Sequence, residues 1–196
     1  MAVDQVVSLI LLGILIGAQF TLRSYLRRWS RLFVFFSIAA IALLLLYQMH
    51  DLFISWIESD PPARYIAPPF RSVSYFFFIA YRRLIAPYFI SLVAAGVAFI
   101  LIRLLPKERR ERLFLKEEPS VLFLAIFLSP HPFWLLFLAA SLLLYMLYSL
   151  ATRLIRPSSG KRISFYYFWP MVAFALITLS PFLLRFEFIR QLRFAA

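Results

Sequence analysis

Apolar runs about as long as a bilayer is thick recur along this chain, and they leave few folds open. Residues 39–46 read Ala-Ala-Ile-Ala-Leu-Leu-Leu-Leu, apolar on every helical face. Runs of this kind occupy about residues 6–22, 32–53, 84–105, 133–152 and 163–184. A helix needs about 20 such residues to cross hydrocarbon. Transmembrane β-strands alternate apolar and polar residues instead, and that pattern is missing. The expected fold is therefore an all-α, polytopic transmembrane bundle forming a single integral-membrane domain, with about five to six membrane helices. Composition agrees: 63% of the 196 residues are hydrophobic, 23 are Phe, and only 15% are charged, against about a quarter in a soluble domain.

The charges that remain are clustered, and they predict orientation. Arg23, Arg27, Arg28 and Arg31 follow the first run. Arg103, Lys107 and the arginines to 112 follow the third, and Arg153, Arg156, Lys161 and Arg162 follow the run at 133–152. Basic residues flanking membrane helices stay in the cytoplasm. The N-terminus is then expected outside, in a bacterial cytoplasmic (inner) membrane. The first run lacks a positive start and a small-residue cleavage site, so it reads as a retained helix and not a signal peptide. The formal net charge of +12 is expected to meet anionic lipid headgroups rather than nucleic acid. A protein partner or a second copy within the membrane is expected as well.

Two segments interrupt the regular pattern. The outer loop 54–83 carries Pro61-Pro62 and Pro68-Pro69, which resist helix, and its apolar residues 73–80 read as an interfacial helix. Residues 119–128 form an apolar stretch of only about 15 Å if helical, half of the roughly 30 Å core. With Ser129-Pro130-His131-Pro132 as a turn and 133–150 as the return arm, it reads as a short or re-entrant helical hairpin. Such an arm is allowed only when buried among other helices. The last run, 163–184, would place Arg185, Arg190 and Arg193 outside.

Leu12-Gly13-Ile14-Leu15-Ile16-Gly17-Ala18-Gln19-Phe20 resembles the first helix of prepilin peptidases, where Gly-x-x-x-Gly-Ser-Phe is usual. Residues 118–179 resemble that family's C-terminal part: a short helix, a proline-bearing turn, a long apolar helix, a basic loop and a last helix. The resemblance implies an aspartyl membrane protease whose two aspartates share one cytoplasmic site, one activating water and the other acting as acid. The sequence departs at the motif that carries this chemistry. Lys116-Glu117-Glu118-Pro119 stands where Gly-x-Gly-Asp is usual, so Glu118 is the only stand-in for one aspartate. Asp51 is the best candidate for the other, yet the expected topology puts it across the membrane. A divergent, inactive relative is the reading that follows.

The other ionisable candidates have plainer readings beside functional ones. His50 and Asp51 end a span, so they are either a solvated helix end or a proton relay. Glu117 and Glu118 suit a helix N-terminus, where the macrodipole favours negative charge, or else catalysis. His131 sits between two prolines in the hairpin turn. With two His and no Cys, neither a transition-metal site nor a cofactor is expected. Three functions remain open: a non-catalytic scaffold or subunit, an aspartyl-type membrane protease using Asp51 and Glu118, and a small-molecule or lipid transporter. The transporter needs broken helices with polar groups at mid-depth.

Overall fold

The computed structural model describes residues 3–58, 72–155 and 166–194. Among them all regular structure is helical, and no strand occurs. In chain order the elements are α1 (Val3–Thr21), α2 (Arg23–Glu58), α3 (Val73–Ala80), a π-helical turn (Tyr81–Ile85), α4 (Ala86–Leu104), α5 (Lys107–Leu113), α6 (Glu118–Phe127), α7 (Phe133–Ile155), α8 (Phe168–Thr178), α9 (Ser180–Leu183) and α10 (Glu187–Phe194). Four helical stretches are long and apolar enough to cross a bilayer: Val3–Thr21, Arg28–Glu58, Val73–Leu104 and Phe133–Thr152. Against the expected five to six membrane helices, α6 and α8 are apolar but shorter.

The segment expected as a separate interfacial helix, 73–80, is the start of the continuous stretch Val73–Leu104. Pro87 explains the π-helical turn inside it. A proline has no N–H to donate, and its ring collides with the carbonyl four residues back, which is that of Arg83. Widening the preceding turn relieves this: the Ala86 N–H reaches Tyr81 O, five residues back. The Pro87 carbonyl instead accepts from the Ser91 hydroxyl at 2.9 Å and from the His131 N–H at 3.1 Å. The hairpin turn is thereby fastened to the first turn of α4.

Contacts fix the relative direction of α1 and α2. The Ser8 hydroxyl meets Tyr88 Oη at 2.9 Å, while Phe53 and Trp56 pack edge-on against Phe76. Both ends therefore lie near one half of Val73–Leu104, so α1 and α2 run antiparallel. At the other end, Arg31, Arg103, Arg110 and Lys116 line one cavity. Two of the three basic clusters thus converge at one end of the bundle. In the third, Arg156, Lys161 and Arg162 lie outside the described residues, as do the proline pairs of the 54–83 loop.

α6 is the hub. Glu118, Val121, Leu122, Leu124, Ala125, Ile126 and Phe127 are all buried, and α2, α4, α7 and α8 surround it. A helix apolar all round belongs in an interior. α2 and α7 are the reverse: only 11% and 17% of their spanning windows are buried. Between helices in lipid no hydrophobic force acts, so close packing and buried hydrogen bonds hold the bundle. The last expected run, 163–184, is helical over Phe168–Thr178 and Ser180–Leu183, with a break at Leu179 and α10 beyond.

Candidate functional site

Glu118 opens α6 directly before Pro119, which has no N–H and suits a first helical turn. It is buried to 1% exposure. Its Oε2 accepts the Leu115 N–H at 2.8 Å, and its Oε1 accepts the Trp169 indole N–H at 3.1 Å. The Glu118 N–H donates back to Leu115 O at 3.1 Å. This reciprocal pair closes the loop between α5 and α6, while the indole ties α6 to the first turn of α8. Negative charge at a helix N-terminus is also favoured by the macrodipole.

A polar layer continues from this carboxylate. Gln19 Nε2 donates to Tyr166 O at 2.9 Å, joining the end of α1 to the segment leading into α8. Phe20 stacks on Tyr167 at 5.2 Å, and Trp169 packs on Phe137 of α7 at 6.0 Å. A second layer lies toward the other end of the bundle. There Tyr88 Oη also donates to Asp4 O at 3.2 Å, and Ser91 reaches Ser129 O at 3.0 Å. Glutamine and serine at positions 5, 8 and 19 fall on the buried stripe of α1 with Leu12 and Leu15.

The other candidate residues are dispersed. Glu117 is buried beside Glu118, its carbonyl accepting the Ser120 and Val121 N–H groups at 3.1 and 3.2 Å. Adjacent helical residues point apart, so these two carboxylates do not face each other. His50 and Asp51 are exposed on α2. Asp51 stands 20 residues beyond Arg31, about 30 Å along the helix, and Arg31 shares its cavity with Lys116 and Pro119. The structure therefore does not bring Asp51 to Glu118. His131 is fixed in the hairpin turn, its Nδ1 accepting the Trp134 indole N–H at 3.3 Å. Among the described residues no three His, Cys, Asp or Glu gather where a metal ion could bind.

Sequence reading missed Trp169, Gln19, Ser8 and Tyr88. The signal for the α1 residues was their spacing with Leu12 and Leu15 on one helix face. Gly13 and Gly17 give the opposite result. A methyl group added to either would meet nothing within 4 Å, so this small-residue face is not used in the chain's own packing.

Taken together, four long apolar helices and two short ones packed through buried polar layers define a helical membrane protein. No protein-family model matches the chain, and no curated protein or solved structure matches it either.

Proposed function

We propose that this chain is a non-catalytic membrane scaffold or subunit, an inactive relative of the prepilin peptidases in the bacterial inner membrane. Its basic end faces the cytoplasm and its N-terminus faces outside. The observation that carries the reading is the state of Glu118. Its two oxygens are engaged by a backbone N–H and an indole N–H, as in a structural clasp. A general acid/base pair needs a second group within hydrogen-bond reach of the same proton or water, and Asp51 lies about 30 Å along α2 from Arg31, the α2 residue whose cavity reaches Pro119 of α6. The outward Gly13–Gly17 face and the sparsely buried α2 and α7 suit contact with a partner helix, since small residues let helices approach closely.

The test is a cleavage assay on the purified chain in proteoliposomes with a leader-bearing prepilin-type peptide. No cleavage is expected from the native chain. Cleavage that disappears in Glu118→Gln would overturn the reading. A photoreactive residue at Ile14, beside the glycine face, is expected to give an adduct with a second copy or another membrane protein. Adducts with lipid alone would reject the subunit role.

A further inference from the structure

Two adjoining cavities open at the basic end, between α2, α4, α5 and α6. The first, of about 510 Å³, is lined by Arg31, Arg103, Arg110 and Lys116, with Glu111 as its acidic member. Four basic residues against one acidic residue leave three net positive charges in its wall. The second, of about 360 Å³, shares Arg31, Phe99, Arg103 and Ser120 with the first and continues along Val34, Phe35 and Phe123. Volumes of this order hold a small ligand or part of a larger one.

We propose that this cleft binds an anionic glycerophospholipid, with the phosphate in the basic mouth and part of one acyl chain in the apolar crevice. The inference does not depend on the chain being non-catalytic.

Three observations converge on a lipid. The charge excess at the mouth matches a phosphate, for which guanidinium groups are suited donors. The donors are held in place: the Arg103 guanidinium lies 4.5 Å from the centre of the Phe99 ring. Arg110 Nη1 donates a long 3.4 Å bond to Arg103 O at the end of α4. The crevice floor is aromatic, with Phe99 and Phe123 edge-to-face at 6.1 Å. That crevice also runs out onto the flank of α2, where Phe35 is 69% exposed. An acyl chain can therefore enter sideways from the bilayer, which a free phosphate or a soluble acidic peptide has no reason to do.

Native mass spectrometry of the full chain in detergent tests this with palmitoyl-oleoyl phosphatidylglycerol, phosphatidylcholine of the same chains, and inorganic phosphate. Phosphatidylglycerol should be retained at least tenfold better than phosphatidylcholine, and inorganic phosphate should not displace it. The double variant Arg31→Gln/Arg103→Gln should weaken retention roughly 30-fold, the scale expected when two basic residues leave an anionic headgroup. If that variant does not fold, Arg110→Gln/Lys116→Gln removes the other half of the mouth and should act likewise. Arg82→Gln/Arg83→Gln, in the π-helical turn, should leave retention unchanged. Equal retention of the two lipids, displacement by phosphate, or an equal loss in the Arg82/Arg83 variant would each overturn the proposal.

Discussion

Replacing Trp169 by Phe keeps an aromatic ring against Phe137 and removes one atom group that matters, the indole N–H donated to Glu118. The carboxylate is 1% exposed, so water cannot easily take over the lost bond. A hydrogen bond to a charged group contributes about 1.5–3 kcal/mol, and the variant should lose stability of that order. That corresponds to a shift of roughly 10- to 150-fold in the unfolding equilibrium. Glu118→Gln should lose a similar amount, because its amide presents a donor toward one of two fixed donors. The two losses are not independent. In a double-mutant cycle the coupling should reach about 1–2 kcal/mol, as for groups in one buried network. Unfolding of the purified protein in mixed micelles, followed by tryptophan fluorescence with a far-ultraviolet control for helix content, measures all four corners. A coupling below about 0.5 kcal/mol, the level of unconnected sites, would show that the indole and the carboxylate do not depend on each other.

Tyr88→Phe removes the hydroxyl that meets both Ser8 and Asp4 O; the loss should be about 0.6–1.7 kcal/mol, the range for hydrogen bonds between membrane helices. Asp51→Asn, at an exposed position on α2, should change stability by less than about 0.5 kcal/mol in the same micelle titration. Gly13→Ala/Gly17→Ala fills open space and removes two helix-weakening glycines, so the chain should gain up to about 1 kcal/mol per site. Single cysteines at Ser30 and Lys116, which line one cavity, should be joined by a short bis-maleimide and react with a membrane-impermeant thiol reagent from the same side. A cysteine at Asp51 should react from the opposite side.

Long apolar helices were readable because their signal is length and apolarity, and neither depends on neighbours. The interior was harder to read. Residues 119–128 are apolar all round, which marks burial, but nothing in that stretch names α4, α8, α2 and α7 as the elements that enclose it. Residues 73–80 looked separate because Arg82 and Arg83 follow them. The helix nonetheless continues, because the turn ahead of Pro87 widens instead of breaking. Trp169 looked like any aromatic near a membrane interface. Its role depends on lying beside a residue 51 positions earlier, and such a pairing has no local trace. The basic cleft is similar: each arginine reads as a topological marker, and only folding sets Arg31 across from Arg103.

A ten-residue helix is too short to be accepted by the insertion machinery as a crossing of its own. α6 must therefore enter the bilayer together with α7, as a pair drawn in behind the longer arm. During synthesis α8 emerges last of the elements that enclose it. Until then the carboxylate of Glu118 lacks its indole donor, and a buried charge with a missing partner is costly in hydrocarbon. A nascent chain halted before Trp169 should therefore hold α6 less firmly beside α7, so the arrival of α8 completes the assembly.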